Sequence, residues 1–509
     1  MNTKIVLVLI LSLFLVTRFY RIAEVPTSLY WDEASIGYNA YSILTTGKDE
    51  WGQVLPVHFR AFGEYKLPIY IYTDVAFVKL FGLNELAVRL PSVLYTFFSV
   101  ILIYLLTFQL TGRKLASVLS AFLFSISPWM FIFSRTGYEA VAGLTFYLLG
   151  IYLYLRSKSA TFFILSGLAF AMSLFSYNSF RIIIPLTILV LLVKDFKKSN
   201  IRDFIKTRLL LVPVLIAVYV PILRFYTIGD GLVRFRSVGI FEEGISLASF
   251  KLFFLNYLSH FNPVFLFLQG DGNLRSQQFG FGQLFPVDLP FILVGIWYIL
   301  KSNIRNYFLI IALLAIAPIP ASLTKESPHA LRSIAMSPFL SIFSAIGIYY
   351  LVTIVKKFRK VFLALVVLIN LAFFGIYFYS FLQIYPTKSA NDWQYPYKKL
   401  FVEKSEEFKK YNDVYISNYL AQPYIFYLFY TKYNAEKFLK TSERNIPQEW
   451  GFSSVSKIDN LHFVNLKMVE TFSDKSLIVA PISSNVQAKK INTADTKNNE
   501  YNLNLYINE

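Results

Sequence analysis

The chain has no cysteine and only four histidines among 509 residues. Disulfide frameworks, thiolate metal centres and cysteine nucleophiles are therefore excluded, and a histidine-rich metal site has little material. Charge is scarce too, at 16% of residues against about 25% in an ordinary soluble domain. That argues against a nucleic-acid partner despite a net charge of +18, because nucleic-acid binders concentrate charge in dense basic patches. Apolar and aromatic residues dominate instead: 55% hydrophobic and 18% aromatic, with 51 Phe and 35 Tyr. The class left is a polytopic α-helical membrane protein, with membrane lipids as its surroundings.

A spanning helix needs about 20 mostly apolar residues, fewer where flanking residues snorkel. Candidate runs are 4–20, 86–110, 115–133, 138–155, 160–177, 180–193, 207–226, 287–300, 306–321, 333–353 and 359–383, or about eleven transmembrane helices. The first can also be read as a signal peptide, since Lys4 precedes a short apolar run. No small-residue cleavage site follows, so an uncleaved anchor is expected. The run at 180–193 is short and can form a re-entrant hairpin with its predecessor. A further segment, Leu67 to Gly82, carries Asp74 and Lys79 and is read as a helix lying at the interface. With a cytoplasmic N-terminus, the cytoplasmic segments then hold 17 basic residues against two acids. Most of the net charge is thus a positive-inside topology signal. Counting 67–82 as a span would move most of those charges outside.

Three outer segments are long: 21–85, 227–286 and the stretch beyond about 385. In the first, Asp32 can cap a helix running to about Thr45, with Gly47 just past its end. The second holds an amphipathic stretch, Phe250 to Leu268, followed by the turn-like Gly270-Asp271-Gly272-Asn273. The third reads as a small α/β domain outside the membrane, with strand-like runs at Asp413–Ser417, Leu461–Leu466 and Leu477–Pro481 and a helix-like run from Gln422 to Tyr430. The expected division is a membrane module over 1–385 and an extracytoplasmic domain over 386–509.

Clusters of chemistry-bearing residues fall at outer ends of spans or in outer loops. They are Trp31-Asp32-Glu33, Glu64 to Pro68, Arg135 to Glu139, Tyr177 to Arg181, Gly270 to Arg275 and Lys325 to Arg332, which includes His329. Carboxylates with several cations suit group transfer from a phosphate leaving group. A carboxylate can take the proton of an attacking hydroxyl, while Arg, Lys and His neutralise the phosphate. Each piece also has a plain reading. Asp32 can be only a cap, with Glu33 a favourable first-turn acid. Lys66 and Arg181 can snorkel. Arg135 and Glu139 can form an i,i+4 ion pair. His329 and Arg332 can sit in a solvated loop, and Asp271 can shape a turn. The functional reading rests on all of these clusters lying on one side of the membrane.

The early loop with Asp32-Glu33 resembles the GT-C membrane glycosyltransferases, closest in pattern to protein O-mannosyltransferases and aminoarabinose lipid A transferases of glycosyltransferase families 39 and 83. Their Glu-Lys-Pro element on an interfacial helix resembles Glu64, Lys66 and Pro68, spread out here by Tyr65 and Leu67. Their Arg-Leu-Pro-Ser opening of the next span is matched by Arg89, Leu90, Pro91 and Ser92. Glu139 after Phe133-Ser134-Arg135 resembles the family's second acid, which is often Asp. The Pro-His-Ala-Leu-Arg stretch, 328–332, is similar to a late outer loop of bacterial members. The resemblance covers roughly 1–385.

It implies a polyprenyl-phosphate-linked sugar as donor and a lipid, glycan or protein hydroxyl as acceptor. Transfer would be inverting at the outer face of the plasma or inner membrane, with Asp32 as base. Glu33 and Glu139 would position acceptor or sugar. Glu64, Lys66, Arg135, Tyr177, Arg181, His329 and Arg332 would serve the donor's phosphate and sugar. No cofactor is required, although some members of the class use a divalent metal. The rival readings are a flippase for lipid-linked saccharide and a non-catalytic lipid-sugar binding scaffold.

Overall fold

Each of the eleven apolar runs folds as helix in the computed structural model. It describes all residues except 1–2, 157–158, 197–207, 209–210, 229–237, 242–243, 245, 303–304, 446–453, 482–485, 487–488, 495–502 and 509. Part of the basic cytoplasmic segment expected at 194–208 thus lies outside the described residues. Among them, three helices are long and apolar enough to cross a membrane: Glu85–Thr111, Met336–Ile354 and Lys356–Gln383. The last exposes Val361, Leu365, Leu368, Ile369 and Ile376 along one stripe and buries Asn370 on the other side. A stripe of exposed aliphatic side chains is suited to lipid.

Two runs are broken where one span was expected. The run at 115–133 forms Lys114–Ile126 and Pro128–Phe133, with Ser127 between them accepting the Met130 N–H at 3.3 Å. The run at 306–321 forms Arg305–Ile316 and Ile319–Ser322. Proline is the cause in both, since Pro128 and Pro318 lack an N–H and disfavour helix at the preceding residue. The amphipathic stretch 250–268 is also split, into the helix Leu247–Ser259 and a single wide turn at Val264–Leu268 after Pro263.

The chain divides into two compact units, Met1–Tyr20 with Ser92–Tyr379, and Arg21–Pro91 with Ser380–Glu509. The first is all-helical. Its closest helix crossing joins Asp288–Lys301 to Met336–Ile354 through Gly295 and Gly347. A Cβ at Gly295 would collide with the Phe343 carbonyl oxygen, and one at Gly347 with that of Phe291. Glycine is what lets these two backbones touch.

The second unit begins with the helix Trp31–Thr46. The N-cap is Tyr30, not Asp32 as expected. Glu33, three residues on, accepts the Tyr30 N–H at 3.3 Å, so the acid reaching back over the helix start is Glu33. Gly47 closes the helix as anticipated, at φ +71°, donating its N–H to the Ile43 carbonyl at 3.0 Å. A hairpin follows, β1 (Phe59–Ala61) with β2 (Glu64–Lys66), then the helix Pro68–Phe81 with Pro68 in its first turn.

Beyond 380 lies a seven-stranded mixed sheet. Its strands are β3 (Val414–Ser417), β4 (Glu443–Asn445), β5 (Ser454–Ile458), β6 (Leu461–Val464), β7 (Ser476–Pro481), β8 (Lys489–Ala494) and β9 (Leu503–Asn508), in the order β4-β5-β6-β3-β7-β9-β8. β3 runs parallel to both its neighbours β6 and β7, and the other pairs are antiparallel. The three expected strands are β3, β6 and β7, and the expected helix is Pro423–Tyr430. β7 is buried along its whole length, as a central strand covered on both faces must be.

Candidate functional site

The residues singled out in the sequence fall into both units, and each set is built locally. In the unit containing 21–91, Asp32 stands in the first turn of the Trp31–Thr46 helix and is ion-paired with Lys66 at the end of β2. Asp32 keeps 23% of its side chain exposed and Lys66 only 4%. The strand explains the spacing of the Glu-x-Lys element. Residues two apart on a strand point the same way, so inserting Tyr65 leaves Glu64 and Lys66 on one side of β2.

Glu33 points the other way and is sealed. Its carboxylate lies 3.5 Å from the Arg89 guanidinium, and neither side chain is exposed at all. Arg89 also donates to the carbonyls of Ile22 (2.7 Å), Pro26 (3.1 Å) and Ser28 (2.6 Å). The Arg-Leu-Pro-Ser motif thus contributes a clamp that folds the loop before the helix. Asp74, on the Pro68–Phe81 helix, is fully buried, and neither of its oxygens has a hydrogen-bond partner. Burial, reinforced by the Glu33 charge, pushes its carboxyl well above the usual range. Sequence reasoning took Asp74 only as a reason against a span.

The segment after 380 braces this helix start. Gln394 accepts the Trp31 N–H at 3.2 Å and donates to the Leu420 carbonyl at 2.9 Å. Tyr397 donates to the Ser417 carbonyl at the end of β3 at 2.7 Å, and Tyr30 meets Trp393 edge to face. The end of β3 is therefore wired to the turn that presents Asp32. A second buried group lies further along. Glu50 accepts from Ser35 (3.2 Å) and Asn39 (3.1 Å), leaves its other oxygen without a partner, and is pushed up to about 7, mainly by burial.

In the other unit, Arg135 is fully buried. It donates to the carbonyls of Thr17 (2.6 Å), Arg18 (2.9 Å) and Tyr20 (2.9 Å), closing the C-terminal end of the Thr3–Phe19 helix. Glu139 begins the helix Glu139–Arg156 and is half-buried. Tyr177 and Phe180 crowd Gly143 of that helix, which keeps the 177–181 turn beside it. Arg181 donates to the Tyr226 hydroxyl at 2.5 Å and to the Leu174 carbonyl at 3.3 Å.

His329 and Arg332 are brought together with Asp271. One Asp271 oxygen accepts the Asn273 N–H at 3.0 Å, the expected turn. The other accepts the Ala330 N–H at 2.7 Å and lies 3.7 Å from His329 Nδ1. His329 Nε2 is 3.9 Å from Glu326, which also pairs with Arg332 at 3.5 Å. The loop is far from solvated in its middle: Trp129 donates to the Ala330 carbonyl at 3.0 Å.

The two acids at the start of the Trp31–Thr46 helix are each held by a cation, Asp32 by Lys66 and Glu33 by Arg89. Among the described residues, no three His, Asp or Glu side chains converge as a metal centre needs.

A family model described as dolichyl-phosphate-mannose-protein mannosyltransferase matches residues 66–223. Several solved structures are similar. ArnT from Cupriavidus metallidurans bound to undecaprenyl phosphate is 13% identical with a TM-score of 0.57, over 100% of this chain and 99% of that one. The Archaeoglobus fulgidus oligosaccharyltransferase in its apo form is 12% identical, with a TM-score of 0.51 over 84% of this chain and 63% of that one. The same organism's AglB, in complex with an inhibitory peptide and a dolichol-phosphate, is 13% identical, with a TM-score of 0.51 over the same shares. The chain thus spans 63% of the length of the archaeal chains it resembles. No curated protein matches the sequence significantly. The fold is the GT-C fold of these structures, residues 66–223 are mannosyltransferase-like, and the three long apolar helices are ones that could cross a membrane.

Proposed function

We propose that this protein is a glycosyltransferase that moves a sugar from a polyprenyl-phosphate donor to an acceptor hydroxyl, with inversion, and that Asp32 is its base. The observation that carries the reading is the contrast among three neighbouring acids. Glu33 and Asp74 are sealed from solvent, whereas Asp32 keeps an open edge while Lys66 holds its other side. Of these three acids, Asp32 is the one with an edge open to an incoming hydroxyl. It would take the hydroxyl proton as the oxygen bonds to the anomeric carbon. The carbon–oxygen bond to the donor phosphate breaks, and polyprenyl phosphate leaves with the electron pair. Lys66, Arg181, His329 and Arg332 have the chemistry to neutralise that phosphate. Glu64, Glu139 and Tyr177 are proposed to position sugar or acceptor, and Glu33, sealed against Arg89, to act only through the turn that presents Asp32. Arg135, committed to three carbonyls, is the weakest member of the phosphate set. The similar solved structures, in complex with undecaprenyl phosphate or dolichol-phosphate, support a lipid-linked donor.

The proposed setting is the outer face of the plasma or inner membrane. About eleven spans, a cytoplasmic N-terminus and an extracytoplasmic domain at 386–509 complete it. The chain has no cysteine, so single introduced cysteines can be scored for labelling from either side.

The decisive experiment measures release of polyprenyl phosphate from a labelled polyprenyl-phosphate sugar by purified Asp32→Asn. A general base contributes about 10²–10⁴-fold, so turnover should fall at least a hundredfold while donor binding persists. Asp32→Asn combined with Lys66→Met controls for the buried lysine left unpaired. Wild-type turnover in Asp32→Asn would refute the assignment. Binding without turnover in the unmutated protein would favour a scaffold, and movement of intact lipid-linked saccharide across vesicles a flippase.

A further inference from the structure

The loop 325–332 carries two residues proposed above as ligands of the donor phosphate, His329 and Arg332. Its surroundings contain groups that no role yet uses. His260, at the end of the helix Leu247–Ser259, is completely buried. Its Nδ1 lies 2.8 Å from the Asn256 carbonyl, so that nitrogen carries the proton. Its Nε2 accepts the backbone N–H of His329 at 3.2 Å. A ring that donates from one nitrogen and accepts at the other is neutral. Burial agrees, pushing His260 down to about 4. His260 is thus a fixed acceptor holding the His329 backbone.

Asp271 holds the next backbone group and faces the ring. It accepts the Ala330 N–H at 2.7 Å with an oxygen that sits 3.7 Å from His329 Nδ1. Glu326 stands 3.9 Å from the opposite ring nitrogen. Arg332 meets Glu326 at 3.5 Å and the Thr324 hydroxyl at 3.0 Å. Among the described residues, Asp271 from the 270–273 turn and Glu326 from its own loop face the His329 ring, and Arg332 pairs with Glu326. Asp271 is 5% exposed and Glu326 is largely open, so Asp271 acts in the drier place.

We infer that Asp271 and His260 are positioning residues that hold His329 as an oriented imidazolium for an anionic phosphate monoester or diester of a lipid. This rests on the donor-phosphate reading of His329 given above. The two residues fix the backbone at 329 and 330, and the Asp271 carboxylate favours the charged ring. Without the Asp271 charge, the imidazolium loses its proton at lower pH, and phosphate affinity falls with it.

The test uses the purified full chain, with farnesyl phosphate as the probe. Binding is measured by calorimetry at pH 5.5 and pH 7.5, alongside melting temperature. His329→Gln should weaken binding about tenfold or more at both pH values, the scale of a lost charge-assisted hydrogen bond. Asp271→Asn should bind nearly as the unmutated chain at pH 5.5 and about three- to tenfold more weakly at pH 7.5. Glu326→Gln, at an exposed side chain, should shift the same profile in the same direction by less. It keeps the inference testable if Asp271→Asn does not fold. Unchanged affinity in Asp271→Asn at both pH values, with His329→Gln impaired, would overturn the positioning role and leave the phosphate reading standing. An unchanged pH profile in Glu326→Gln, with His329→Gln impaired, would also count against it. Unchanged affinity in His329→Gln would overturn the phosphate reading itself.

Discussion

Replacing Glu50 by Gln should stabilise the protein, and the gain should grow with pH. The carboxyl is 1% exposed, one of its oxygens has no partner, and burial pushes it from 4.5 up to about 7. The folded state therefore holds its proton more tightly than the unfolded chain does. That contribution to stability is fully present below pH 4.5 and is lost as pH rises through 7. The shift corresponds to about 3 kcal/mol at 1.36 kcal/mol per unit. Gln keeps an oxygen for Ser35 and Asn39 but cannot ionise. Asp49 and Arg444, the nearest charges, are common to both proteins and largely cancel in the comparison. Thermal unfolding of the full chain in detergent at pH 4.5 and pH 8 reads this out. The unit that holds Glu50, residues 21–91 with 380–509, falls in the size range that moves about 2–4 °C per kcal/mol. The two proteins should melt alike at pH 4.5, and Glu50→Gln should lead by ~6–12 °C at pH 8. Equal melting differences at the two pH values, or a less stable variant at pH 8, would refute the reasoning.

Arg89→Ala should destabilise by about 3–5 kcal/mol, because it leaves Glu33 charged and buried and frees the carbonyls of Ile22, Pro26 and Ser28. Chemical unfolding or a loss of folded yield checks it, and a near-neutral Arg89→Ala would show that the clamp contributes little. Asp74→Asn should raise the melting temperature at neutral pH, since burial holds the wild-type carboxyl well above its usual range at a cost in stability, and the amide cannot ionise. A drop in melting temperature would mean that the acid has a favourable partner in the membrane-bound state.

The sequence was most informative where structure is made locally. Helices spanning long apolar runs, the strands β3, β6 and β7, the Pro423–Tyr430 helix and the Gly47 closure all arise from patterns that operate over a few residues. The short hairpin β1–β2 has three-residue strands, too brief for alternation to register. The breaks before Pro128 and after Ile316 were written in the prolines but masked by the hydropathy on either side. The strands β4, β5 and β8 are mostly polar, and pairing across the sheet holds them more than their own composition does.

The candidate site divides along the same line. Asp32 and Lys66 were visible as chemistry, but their pairing spans 34 residues, and nothing in a local window specifies it. The same limit hides the partners of three residues. Asp32 looks like a cap until Glu33 is seen reaching the Tyr30 N–H. Arg135 looks like a phosphate ligand until its guanidinium is found on carbonyls more than 100 residues earlier. Asp271 looks like a turn former, and is one, but its second oxygen faces His329 from 58 residues away, with the Ala330 N–H on the same atom. In each case the residue type was informative and the partner was not. A buried cation or carboxylate must find a counterpart or stay neutral, and the fold decides which. Of the acids beside the Trp31–Thr46 helix, Glu33 took an arginine, Asp74 took no partner and Asp32 took a lysine while keeping an open edge. That sorting by burial, invisible in the order of the residues, is what separates a structural acid from a candidate base.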